Sequence, residues 1–125
     1  STEFFFLFQA HMAPGAVLSF NATGSADAFY TASKVFAHAY RYVNFVYAAD
    51  FDFRARKNTA ATRQLYQSLT LGGAPLFAAN SSAIEQFVAK PFVGIEVVQK
   101  SAGRPLEQIT DYNMVTEFKY GKSLY

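Results

Sequence analysis

The candidate acid–base groups of this chain include its carboxylates, its phenols and two histidines, and the sequence contains no cysteine. Asp50 and Asp52 would point to the same side of an extended segment, as would Glu107 and Asp111. Paired carboxylates can act as general acid and base when burial separates their pKa values. His38 has no acid or second histidine at a metal-ligand spacing. We therefore expect no catalytic residue and no metal site here.

Tyr30 and Lys34 lie four positions apart in the stretch YTASK, so one helical turn would bring the ammonium group near the phenol. This spacing resembles the Tyr-x-x-x-Lys motif of short-chain dehydrogenases, and the resemblance covers about 25 residues. It would imply a dinucleotide cofactor. No glycine-rich turn precedes the motif to hold a pyrophosphate, and the chain is too short for a doubly wound sheet. We therefore interpret the stretch as an amphipathic helix and expect no cofactor.

The excess of positive charge lies in the middle of the chain. Residues 34–63 contain six Lys and Arg against two Asp, a local charge of +4 in a chain whose net charge is +2. Within this region the stretch FDFRARK interleaves aromatic rings with cations. We expect this stretch, as a short strand or an exposed connection, to bind an acidic protein surface through Phe51, Phe53, Arg54, Arg56 and Lys57. Stacking on single-stranded RNA is an alternative, which the interspersed acids and the small net charge disfavour.

Aromatic residues are more numerous than a core of this size requires: the chain has 14 Phe and 8 Tyr, while charged residues make up only 16%. Some must lie on the surface, and the C-terminal run that contains Tyr120 and Tyr125 is a second candidate partner surface. The composition is similar to that of linker polypeptides of light-harvesting assemblies. We therefore expect a non-catalytic structural or linker subunit that binds other protein subunits as a homo- or hetero-oligomer, rather than an enzyme.

A second hypothesis is a small α+β cup that binds an apolar or aromatic molecule between the helices and the sheet. Tyr40, Tyr47 and Tyr112 would supply polar groups to such a ligand. His38 or Asp111 would be the acid–base residue if the cup catalysed an isomerisation or a hydrolysis.

The patterning predicts a single α+β domain over residues 1–125, with about three helices packed on an antiparallel sheet made from N-terminal and C-terminal hairpins. The predicted strands are Glu3–Gln9, Ala16–Phe20, Phe92–Gln99 and Leu106–Tyr120. The predicted helices are Ser25–Ala48, Thr59–Leu71, with Leu65 and Leu69 facing inward, and a short one from Ser82 to Pro91. No apolar run reaches the length of a membrane span. The absence of cysteine favours the cytoplasm or an organelle interior.

Overall fold

The computed structural model describes residues 1–22, 24–77 and 82–113. These residues form two compact units, each treated by itself below: Ser1–Asp52 together with the chain from Phe92 onward, and Phe53–Pro91. The described part contains five α-helices, a three-stranded antiparallel sheet and a two-stranded antiparallel sheet. The predicted α+β class is therefore confirmed, while the single-domain organisation stays a prediction.

The elements follow one another in this order along the chain: α1 (Thr2–Ala10), β1 (Leu18–Asn21), α2 (Ala26–Val35), β2 (His38–Tyr42), β3 (Phe45–Ala49), a 3-10 helix (Arg54–Asn58), α3 (Ala60–Ser68), β4 (Thr70–Leu71), β5 (Ala74–Pro75), α4 (Ser82–Ala89) and α5 (Ile95–Ala102).

The three-stranded sheet of the first unit has the order β1-β3-β2, and both pairings are antiparallel. Leu18 lies opposite Ala48, and Tyr40 lies opposite Tyr47. Because side chains alternate between faces along a strand, one face carries Leu18, Phe20, Val46 and Ala48, together with Arg41, towards the helices, and the other carries the tyrosines. The core on the helix side consists of Phe5, Leu18, Ala22, Phe29, Ala32, Phe36, Val46, Ala48 and Val98.

The N-terminal segment Glu3–Gln9 was predicted to be a strand, and this is wrong: it lies within α1. The Ser1 hydroxyl accepts a hydrogen bond from the Phe4 amide at 3.2 Å, which satisfies one free donor of the first turn. Glu3 lies near the positive end of the helix dipole. An apolar run this short has no periodicity that distinguishes a strand from a helix. The local feature that favours the helix is its N-terminal cap, Ser1. A strand within Ala16–Phe20 is confirmed in part by β1.

The long helix predicted for Ser25–Ala48 is correct at its start and wrong at its end. Ser25 caps α2, since its hydroxyl accepts from the Ala28 amide at 3.2 Å. The helix stops at Val35, and β2 and β3 follow as a hairpin. The apolar spacing over residues 36–47 fits both a helix and an alternating strand. The hairpin turn at residues 43–44 contains no glycine or proline, and the single Asn44 is only a weak turn signal.

The C-terminal strands are also corrected. Within the predicted strand Phe92–Gln99, only Val93 makes a bridge, to Arg41, and α5 begins two residues later. The segment Leu106–Tyr120 forms no ladder over residues 106–113, and residues 114–120 lie outside the described part. Among the described residues, the three-stranded sheet is therefore not built from hairpins at the chain ends, and its strands come from residues 18–49.

The second unit is built around α3 and α4. Thr59 caps α3, and this helix ends at Ser68 rather than at the predicted Leu71. Gly72 and Gly73 do not cap the helix. They have φ values of 59° and 83° and form the turn between β4 and β5.

Two predicted inward leucines on and after α3 are exposed: Leu65 is 60% exposed and Leu69 37%. The predicted helix that starts at Ser82 is confirmed as α4. In the described part of this unit, the buried apolar residues are Phe53, Ile84 and Val88.

Candidate functional site

Helix α1 presents most of its large side chains to solvent. Only Phe5 is buried in the core, where its ring contacts those of Phe20 and Phe36 with centroids 5.1 and 6.1 Å apart. The remaining large apolar residues of the helix are between 41% and 62% exposed; they are Phe4, Phe6, Leu7 and Phe8. We call these four side chains the α1 apolar face.

The α1 apolar face has a defined centre. Successive helix residues are rotated by about 100°, which places Leu7 at the middle of the exposed arc, opposite Phe5. Glu3 and His11 lie four residues before and after Leu7, so they are on the same line along the helix, one at each end. His11 Nδ1 lies 2.8 Å from the Leu7 carbonyl oxygen, which fixes the ring over the last turn.

A second cluster covers the sheet face that points away from the helix-packed core. It consists of His38, Tyr40, Tyr42, Tyr47 and Phe92, which we call the aromatic sheet face. The Phe92 ring lies centrally, with centroid distances of 6.0 Å to Tyr40, 5.3 Å to Tyr42 and 6.4 Å to Tyr47. His38 Nδ1 is 3.5 Å from the Tyr40 hydroxyl, at the limit of a hydrogen bond. Tyr42 is only 6% exposed, and the other four members of the cluster are half-buried.

Three of the five predicted ligand-binding residues therefore share one surface, namely His38, Tyr40 and Tyr47. Asp111 and Tyr112 do not join them. They lie in the turn at residues 111–113, where the Asp111 amide donates to Glu3 Oε2 at 3.1 Å and Tyr112 is 94% exposed. The sheet places its phenols on the face opposite the helices, because the helix-facing positions of the strands hold the core residues.

The predicted basic and aromatic docking segment is divided between the two units. Phe51 belongs to the first unit and is half-buried. In the second unit, Phe53 is only 6% exposed, so little of its ring is accessible to a partner. Arg54 and Arg56 are exposed on the 3-10 helix.

Lys57 is engaged within its own unit, since its ammonium group donates to the Lys90 carbonyl oxygen. Burial lowers the pKa of Lys57 from its ordinary value. The two other predicted partner residues, Tyr120 and Tyr125, lie outside the described residues.

The Tyr30 and Lys34 pair occupies adjacent turns of α2, as its spacing predicts. The Lys34 Nζ atom lies over the Tyr30 ring, 4.6 Å from the centroid, in a cation–π contact. The ammonium group thus contacts the face of the ring, and the arrangement is that of two neighbours on an amphipathic helix.

One group was missed at the sequence level: Asp27 is 2% exposed and pairs with Arg104, which lies 77 positions further along the chain. Arg104 Nη1 donates to Asp27 Oδ1 at 3.0 Å, and Nη2 donates to Oδ2. The Glu107 amide also donates to Oδ1, at 2.8 Å. The sequence marks Asp27 only as an acid in the first turn of a helix, so no local signal identifies its partners.

Comparisons with protein-family models, with curated proteins and with solved structures found no match for this chain. No helix in the described ranges is long and apolar enough to cross a membrane. Within those same residues, no group of three His, Asp or Glu side chains could hold a metal ion.

Proposed function

We propose that this protein is a non-catalytic assembly subunit, that α1 is its docking element, and that the partner is a second copy of the chain. The observation that carries this proposal is the exposure of the α1 apolar face. A fully exposed side chain of this size presents about 200 Å². At their observed exposures, these four side chains together present roughly 400 Å² of apolar surface. That area is comparable to the largest patch of a typical monomer, and such patches commonly mark interaction sites.

The polar groups at the two ends of the α1 apolar face favour a second copy as the occupant. Two antiparallel α1 helices that cross at Leu7 place Glu3 of each helix opposite His11 of the other. This arrangement is isologous, so both contacts form twice about one two-fold axis. Aromatic side chains on either side of Leu7 then pack against each other across the helix pair.

The available area sets the expected strength of the association. The two faces together bury roughly 800 Å², which is below the 1,200 Å² or more of a standard stable interface. We therefore expect a weak, reversible dimer whose population rises with protein concentration. Such a contact suits an assembly in which several weak interfaces act together.

The test is sedimentation velocity over a concentration series with wild type, Leu7→Glu and the matched control Leu71→Glu. Leu71 is also an exposed leucine, at 74%, but lies in the second unit. We expect concentration-dependent dimerisation for wild type and Leu71→Glu, and a monomer at every concentration for Leu7→Glu, because the charge would be buried at the centre of the contact. Wild type that stays monomeric, or two variants that behave alike, would overturn the proposal.

The antiparallel geometry has its own test. His11→Glu should weaken the dimer, since two carboxylates then face each other, and adding Glu3→Lys should restore it. If the double variant is no better than His11→Glu alone, the antiparallel pairing is wrong. Binding of a wild-type monomer to phosphatidylcholine vesicles, lost in Leu7→Glu, would instead identify α1 as a membrane-surface helix and refute the protein partner.

A second candidate function is the binding of an aromatic small molecule on the aromatic sheet face. The grouping of His38, Tyr40 and Tyr47 with Tyr42 and Phe92 supports this candidate. Native mass spectrometry of the purified protein checks it. A retained small molecule whose occupancy falls in Tyr47→Ala would favour it, and a mass equal to that of the chain alone would count against it.

A further inference from the structure

The first unit contains a cavity of about 360 Å³ between the start of α2, the β2–β3 turn and α5. Its size is within the range of small-molecule sites. We propose that it binds a small monocarboxylate with an apolar body, and that Arg41 holds the carboxylate. The residues that line it include Arg41, Asn44, Ser25, Phe29, Ala22 and Val98.

Arg41 occupies an unusual position for a cation. It lies on β2 two residues after Ala39, on the sheet face that packs against the helices, and it is half-buried. Its backbone forms two hydrogen bonds with Val93: the Arg41 amide donates to the Val93 carbonyl oxygen at 2.9 Å, and the Val93 amide donates to the Arg41 carbonyl oxygen at 2.8 Å. Its guanidinium group, by contrast, has no hydrogen bond or ion pair with any residue in the described ranges.

A half-buried arginine can bury its aliphatic stem and keep its guanidinium group in water, so this group is open to a ligand at the cavity. No acid lines this cavity in the described part of the chain. Asp27 lies in the first turn of α2, but its carboxylate is held by Arg104 and by the Glu107 amide. The charge of Arg41 is thus left for a ligand, and its planar fork matches a carboxylate.

The other lining residues define the rest of the ligand. Asn44 offers an amide without a hydrogen-bond partner among the described residues, and Ser25 and Ala26 bring the positive end of the α2 dipole to the same cavity. Phe29 and Val98 form an apolar floor. Because Arg41 is the cation that lines the cavity and few other polar groups do, the ligand should carry a single negative charge. The apolar floor should contact a hydrocarbon chain or a ring. A phosphate dianion would require more donors.

The rim of the cavity also contains strained backbone. Val43 has a φ of 55°, and it is the one non-glycine residue in the described ranges with a positive φ. A β-branched residue in this conformation is an outlier, because its side chain crowds the backbone. A two-residue hairpin loop requires a positive φ, so this strain belongs to the β2–β3 turn, which carries Asn44 to the cavity.

The experiment is a titration of the ¹⁵N-labelled protein with butyrate, followed by amide chemical shifts. The expected result is saturable shifts at Ala22, Ser25 and Asn44, and at least a tenfold weaker dissociation constant in Arg41→Gln. Lys34→Gln is the matched control, because it removes a cation from the same unit outside the cavity. Asn44→Ala, at an exposed turn position, is the second variant if Arg41→Gln does not fold, and it should weaken binding about threefold.

Two further ligands define the chemical class. Butyramide has the same shape without the charge and should bind at least tenfold more weakly than butyrate. Inorganic phosphate should not compete at equal concentration. The proposal is overturned if wild type shows no saturable shifts, if Arg41→Gln binds like wild type, or if butyramide or phosphate binds as well as butyrate.

Discussion

The two units each contain an arginine–carboxylate pair, and the comparison of these pairs shows what stabilises each unit. The side chains of Arg104 and Arg63 are equally exposed, at 31%. Their partners differ: the side chain of Asp27 is 3% exposed, whereas that of Glu85 is 65% exposed. Since the arginines are alike, the environment of the carboxylate decides how much each pair matters.

The buried pair, Asp27 with Arg104, holds a segment that is distant from α2 in the sequence. Asp27 binds Arg104 and also the Glu107 amide, and Thr31, one turn further along α2, accepts from the Ile109 amide at 2.8 Å. Asp27 and Thr31 are separated by one helical turn, which rises about 5–6 Å. The amides that they bind are two residues apart, a distance of about 6–7 Å in extended chain, so the two spacings are similar. The segment after α5 is therefore held by side chains of α2 in place of a neighbouring strand. The exposed pair joins α3 to α4 through side chains alone.

The largest effect is expected for Arg104→Gln. This change leaves the Asp27 carboxylate buried without a cation and should lower the free energy of unfolding by about 3 kcal/mol. Urea unfolding monitored by circular dichroism measures it. Adding Asp27→Asn should recover part of the loss, because a buried amide is less costly than a buried charge. A loss below about 0.5 kcal/mol would mean that Asp27 is compensated without Arg104 and would remove the contrast between the two pairs.

A smaller effect is expected for Thr31→Val, which keeps the shape of a fully buried side chain and removes its hydroxyl. The Ile109 amide then loses its acceptor, and the free energy of unfolding should fall by about 1–2 kcal/mol. Hydrogen exchange should quicken at Ile109 more than at Glu107, whose acceptor is Asp27. Ser33→Ala, on the same helix, is the control and should change little. Equal exchange at the two amides would refute the separate anchoring of this segment.

The sequence predicted those parts of the fold that depend on neighbours in the chain. The cap at Ser25, the helix that starts near Thr59 and the one that starts at Ser82 follow from local signals, and all three are present. The alternation after Leu106 predicted a strand, but residues 106–110 belong to no strand and residues 111–113 form a turn. The sequence could not show what this segment binds, because its contacts with Asp27 and Thr31 span 80 and 78 positions.

Candidate sites were less predictable for the same reason. His38, Tyr40 and Tyr47 were named as ligand groups within a supposed helix, and the hairpin brings them together on a sheet face instead. Arg41 was counted only as part of a basic region, since its place on the helix-facing side of β2 depends on the strand register. The α1 apolar face was visible as a run of phenylalanines, but which of them are exposed depends on the packing of Phe5.

The smallest effect is expected for Arg63→Gln, and this variant completes the comparison. Glu85 would keep most of its hydration after the loss of its partner, so the free energy of unfolding should fall by no more than about 0.5 kcal/mol. Arg63 also donates to Asn58 Oδ1 at 2.6 Å, a contact that glutamine can partly replace. Raising the salt concentration should narrow the difference from wild type further, since exposed charges are screened. A loss equal to that of Arg104→Gln would show that the exposure of the carboxylate does not set the strength of these pairs.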